Sequence, residues 1–131
     1  LYIILLGGSS IYYVDLGTLD LHQQTRNAMD WMVREIREAG ASSVSITVID
    51  ANSDRITFNT PNETGIQYYR NGNQVIREYP SATTRVVGNN INRLKFTQTG
   101  SLLQIQLRAE KTALNRPLSF SLTEQVRMRN D

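Results

Sequence analysis

The chain has 131 residues, 40% of them apolar and 20% charged, with three prolines and eight glycines, which suits one folded domain and excludes a disordered, collagen-like or disulfide-framed polypeptide. Fourteen Lys and Arg against twelve Asp and Glu leave a net charge of +2, too small a surplus to argue for a nucleic-acid partner by itself. The absence of cysteine removes disulfides, thiolate nucleophiles and cysteine-ligated zinc and leaves the compartment open.

Residues 1–14 carry no charge: Leu1, Tyr2, Ile3, Ile4, Leu5 and Leu6, the interruption Gly7-Gly8-Ser9-Ser10, then Ile11, Tyr12, Tyr13 and Val14. The run falls short of the roughly 20 apolar residues of a membrane span and lacks the basic start and cleavage site of a secretory signal. It reads as the distal part of a longer hydrophobic helix over 1–18, followed by a single globular domain over 19–131. A strand buried beneath that domain is the alternative, since Ile, Tyr and Val are good strand residues. A helix apolar on all sides cannot be covered by one small domain, so it points to lipid or to neighbouring subunits.

Residues 19–39 change to helical periodicity, with Ala28, Met29, Met32, Ile36 and Ala39 forming one apolar stripe aimed at a core. Asp30 with Arg34, and Arg34 with Glu38, are spaced for opposite-charge pairs on the solvated side. Gly40 is placed to close the helix in a left-handed conformation. After it the text reads as strands: 43–49, with Val44, Ile46 and Val48 on a half-buried face, 55–60, with Ile56 and Phe58 together, then 66–70 and 74–79 around Asn71-Gly72-Asn73. Spans 83–87, 94–97, 102–109 and 118–128 follow. One leading helix followed by hairpins predicts an α+β fold, a long N-terminal helix packed on an antiparallel sheet. No strand-helix-strand alternation or phosphate-cradling glycine loop is present, so no cofactor is expected.

Three clusters carry possible chemistry. Asp50, Asn52 and Asp54 resemble the opening of a calcium loop, but Arg55 and Pro61 stand where such a loop needs glycine and glutamate; a polar turn between strands is the competing reading. His22, with Asp15 and Asp20 near it in sequence, has no activated nucleophile to serve, and no catalytic residue is assigned. Tyr68, Arg70, Arg77 and Tyr79, with Tyr69 and Arg85 beside them, form a candidate ligand surface for single-stranded nucleic acid or glycan on one hairpin. Alternate strand residues face opposite sides, so Tyr68 and Tyr69 cannot share a surface, and cross-strand packing competes with binding. Trp31 reads as a packing or subunit-contact residue.

The block Gln24-Thr25-Arg26-Asn27-Ala28-Met29-Asp30-Trp31-Met32-Val33-Arg34-Glu35-Ile36-Arg37-Glu38-Ala39-Gly40 resembles the line that follows the membrane helix in PilW-like minor pilins of type IV pili and GspJ-like pseudopilins of type II secretion. The Tyr-Tyr-Arg hairpin with Asn-Gly, then Ile76-Arg77, and the Arg129-Asn130 end look similar, although only the helical block is specific. The resemblance implies a pilin-like fold and a prepilin whose hydrophobic N-terminal helix holds the subunit in the bacterial inner membrane, with a periplasmic domain, before entering an extracytoplasmic filament. It implies other minor pilins or pseudopilins and the major pilin as partners, a priming or capping role at the filament tip, and no enzymatic activity. The cleavage motif and the acidic residue near the mature N-terminus are missing here. A surface-exposed binding module for nucleic acid or glycan, acting through the Tyr/Arg hairpin, is the second expectation.

Overall fold

The computed structural model describes residues 9–113 and 115–130, with side chains from Asp20 onward except that of Ala113. One α-helix, α1 (Ser9–Ile36), and a single 3-10 turn (Ala41–Ser43) precede eight strands: β1 (Ser45–Asp50), β2 (Ser53–Asn59), β3 (Thr64–Asn71), β4 (Gln74–Glu78), β5 (Thr84–Gly88), β6 (Ile91–Thr99), β7 (Leu102–Ala113) and β8 (Arg116–Arg127). Seven strands run in the order β5-β4-β3-β2-β6-β7-β8, and β1 attaches to β2 off that path.

This architecture corrects the α+β, pilin-like expectation. The chain is mostly β, a curled half-barrel sheet, and not a long helix packed on a sheet. Local periodicity gave the helix and the sheet equal weight. Two antiparallel meanders, β2 to β5 and β6 to β8, are instead joined into one surface by a parallel contact between Ser53 and Leu94, and that non-local pairing curls the sheet around its own core. Ile56, Phe58, Ile66, Tyr68, Leu94, Leu103 and Ile105 are all fully buried. The helix adds one cover, against β5, β7 and β8, and no described helix is long and apolar enough to cross a membrane.

The covering face of α1 is Leu21, Thr25, Ala28, Met29, Met32 and Ile36, with Ala39 beyond its end, at intervals of three and four that place them on one side. Thr25 sits in this stripe because its hydroxyl donates to the Leu21 carbonyl at 2.7 Å, which satisfies the buried polar atom. Close approach to β5 requires small residues: a Cβ built on Gly88 would lie 2.8 Å from the Ala28 Cβ. The expected apolar-helix residues Leu1, Tyr2, Ile3, Ile4, Leu5 and Leu6, with Gly7 and Gly8, lie outside the described residues. Ile11, Tyr12, Tyr13 and Val14 fall on the backbone of α1, which excludes the buried-strand alternative for that part.

Gly40 does not cap the helix in a left-handed conformation. Its φ of −76° and ψ of 127° are extended, its N–H donates to the Asn59 carbonyl at 3.1 Å, and it forms a parallel bridge with Arg129. Long-range pairing with β2 and the C-terminal segment overrides the local preference of glycine after a helix. Strand β1 also departs from expectation: Val48 is 68% and Ile49 51% exposed, because β1 lies outside β2 with no layer over it. The Asn-Gly hairpin closes with Asn71 paired to Gln74 and Gly72 at φ 61°, the left-handed conformation a two-residue turn demands. Arg34 stands 5.8 Å from the Trp31 ring instead of pairing with Asp30 or Glu38.

Gly88→Val is expected to lower the unfolding free energy by about 1–3 kcal/mol through overpacking against Ala28, read as a lower urea midpoint with an unchanged slope. Thr97→Val, on an exposed position of β6, is expected to stay within about 0.5 kcal/mol of the parent.

Candidate functional site

The helical stripe contains one charge. Glu35 follows Met32 by three residues and Ala28 by seven, so it points at the sheet and needs a partner there. Strands β3 and β4 provide it, because Tyr68 and Arg77 are register partners and therefore share a face. Arg77 grips Glu35 with both arms, Nε donating to Oε1 at 2.6 Å and Nη2 to Oε2 at 2.7 Å. The Tyr68 hydroxyl also donates to Oε1. Glu63 lies 3.8 Å from Arg77 Nη2, and the Tyr79 ring stands 5.9 Å from the guanidinium carbon. At the rim, Trp31 has Arg34 at 5.8 Å and Arg85 of β5 at 5.2 Å.

The electrostatics follow from this geometry. Burial pushes the Glu35 carboxyl up, but the hydrogen bonds from Arg77 and Tyr68 and the charges of Arg77 and Arg34 outweigh it and hold the group below its ordinary value. Burial, and next the hydrogen bond to Glu35, pushes the Tyr68 hydroxyl far above its usual range. The hydrogen bond to Glu35 raises Arg77. An ionised Glu35 and Arg77 with a neutral Tyr68 form a closed set, with both carboxylate oxygens taken.

The candidate ligand surface is thereby corrected. Tyr68 is fully buried and stacks against Phe58 with ring centroids 6.2 Å apart. Arg77 is spent on Glu35. Arg70 is separate from this group: its Nε donates to Ser53 Oγ at 2.8 Å and its Nη1 to the Gly72 carbonyl at 3.0 Å. Tyr79 is half-buried, and its backbone N–H donates to the Thr83 carbonyl at 3.0 Å. Tyr69 takes the other face, under Arg55 at 4.4 Å, and donates to Glu78 Oε1 at 2.8 Å. Alternate residues of one hairpin thus serve opposite sides, and the pair that looked like a binding platform faces the helix.

Asp50, Asn52 and Asp54 do not converge. Asp50 Oδ1 accepts from the Asn52 backbone N–H at 2.7 Å, a turn-closing bond. Asn52 Oδ1 accepts from Arg93 at 2.9 Å. Asp54 is 1% exposed and accepts from Lys95 Nζ at 2.7 Å and the Phe96 backbone N–H at 2.9 Å. Hydrogen-bond donors occupy Asp50 Oδ1, Asn52 Oδ1 and both Asp54 oxygens, and no metal-ligating cluster is present among the described residues. Asp54 instead fastens β2 to β6 beside the parallel contact.

His22 packs on Phe120 of β8 with ring centroids 3.9 Å apart. Asp20 pairs with Lys111 of β7 at 2.9 Å. Both therefore tie the helix to the long hairpin. Sequence reasoning missed Glu35 and the anchoring role of Asp54; the available signal for Glu35 was a carboxylate standing beside an otherwise uncharged stripe. Compared with protein-family models, curated proteins and solved structures, the chain matches none.

Glu35 titrates lower in the folded protein than in the unfolded chain, so its contribution is complete above the unfolded value near 4.5 and is lost as pH falls through the folded value. The stability gap between the parent and Glu35→Gln is expected to be widest near about pH 7 and to narrow on acidification below that carboxylate range; urea titrations at several pH values check this. Arg77→Met, which strands the carboxylate, is expected to cost about 3 kcal/mol. The double variant Glu35→Met/Arg77→Met should lose less than the two single losses combined.

Proposed function

We propose that the chain is a non-catalytic assembly subunit of the minor pilin or pseudopilin kind, one that primes or caps a type IV pilus or type II secretion pseudopilus filament. Its place in this reading is the bacterial inner membrane with the domain in the periplasm, then the tip of an extracytoplasmic filament. The reading rests on the helical block over 24–40 and on the uncharged run over 1–14, not on the architecture of the fold.

One observation carries it. The α1 backbone is continuous from Ser9 to Ile36, 28 residues, or about 42 Å. The sequence preceding Leu21 has an uncharged start. An uncharged run continuous with a helix suits burial in a bilayer or in a bundle of like helices. The Tyr/Arg hairpin gives the binding-module alternative little support, since its Tyr68 and Arg77 hold the helix to the sheet.

The test is removal of residues 1–18. The shortened chain is expected to keep its circular dichroism and cooperative unfolding, to leave the membrane fraction, and to stop co-purifying with other filament subunits from detergent extracts. Equal partitioning of the full and shortened chains, with no filament subunit accompanying either, overturns the proposal.

A further inference from the structure

Strand β8 ends the sheet and pairs with β7 alone among the described strands. Its twelve residues run in unbroken register with β7, whereas the β1–β2, β2–β3, β4–β5 and β6–β7 ladders each carry an irregularity. The other free strands are short, five residues for β5 and six for β1. A long straight edge presents a row of unanswered backbone donors and acceptors, and proteins usually blunt such edges with charge, proline, a bulge or brevity. In β8 the only proline is Pro117, next to the start, and the six residues 118–123, Leu-Ser-Phe-Ser-Leu-Thr, carry no charge.

The charges of β8 fit a particular occupant. The pleat puts Arg116, Leu118, Phe120, Leu122 and Glu124 on one face. Neither Arg116 nor Glu124 makes an ion pair among the described residues. They lie symmetrically about Phe120, four residues before it and four after.

We infer that β8 pairs antiparallel with β8 of a second copy of this chain about a two-fold axis at Phe120. Each Glu124 then faces Arg116 of the other copy, Leu118 faces Leu122, and Ser119 faces Ser121. Two opposite-charge pairs flank an uncharged centre and select this register. A slip of two residues moves Glu124 opposite Leu118 or past the start of the strand. The pairing is closed, because each copy uses its one long edge on the other, and it extends the curled sheet across the axis. It is read from the described domain and stands apart from the assembly reading above.

Sedimentation velocity of the chain over a concentration series tests it, with circular dichroism confirming that each variant is folded. The parent is expected to form a dimer. Arg116→Glu and Glu124→Arg each set two like-charge pairs across the axis and are expected to weaken the dimer by about tenfold or more. Arg116→Glu/Glu124→Arg exchanges the charges and is expected to restore it. Arg116 is exposed, so its variant tests the register even where the Glu124 variant unfolds. A parent that stays monomeric throughout, a dimer that ignores the single changes, or a double variant as weak as the single ones overturns the inference.

Discussion

The closed pair of Glu35 and Arg77 is the constraint on which the seating of α1 depends. Apolar burial pulls the helix toward the sheet but is non-directional, and a stripe of Leu, Met, Ala and Ile could settle at several heights along it. A carboxylate gripped on both oxygens by a guanidinium allows one. Tyr68 strengthens the restriction, since its hydroxyl, fully enclosed, has its acceptor only when Glu35 stands above it. The contact of Ala28 with Gly88 sets the distance of approach, as the ion pair sets the position. Specificity here comes from polar groups that burial makes intolerant of error.

A second buried carboxylate does comparable service inside the sheet. Asp54 joins the start of β2 to Lys95 and Phe96 of β6, where the two meanders meet through Ser53 and Leu94. Ser53, itself buried, is held by Arg70 from β3. The seam therefore has few ladder bonds and several side-chain ones. That is a physical reason for the curl: β2 turns one end toward β6 and the other toward β3, and the two halves bend around the shared core.

Much of the secondary structure was legible because it is local. Met29, Met32 and Ile36 declare a helix face by spacing, Asn71-Gly72 declares a turn, and Ile56 with Phe58 declares a strand face. What sequence could not show was set by distant partners. Gly40 looks like a helix terminator, and its backbone angles are decided by Asn59 and Arg129. Val48 looks half-buried by alternation, and nothing covers it, because β1 lies outside the path of the sheet. The Tyr/Arg hairpin illustrates the same limit at the candidate site: the side occupied by α1 decides whether Tyr68 and Arg77 greet solvent or a carboxylate, and Arg70 falls outside their group. No pattern within residues 68–79 contains that information. The α+β reading failed for a related reason, since strand spans can be located singly while the seam that makes them one curled sheet joins residues 41 positions apart, Ser53 and Leu94.

The layout of α1 has a bearing on how the chain is made. Among the described elements the helix is translated first, and most of what it lies against is the β7 and β8 hairpin, translated after the other strands. During synthesis its greasy side therefore waits, uncovered by that hairpin, until β8 has been translated. A nascent chain stalled before β7 and β8 thus exposes an amphipathic segment that the finished domain covers, which makes it more aggregation-prone than the folded molecule.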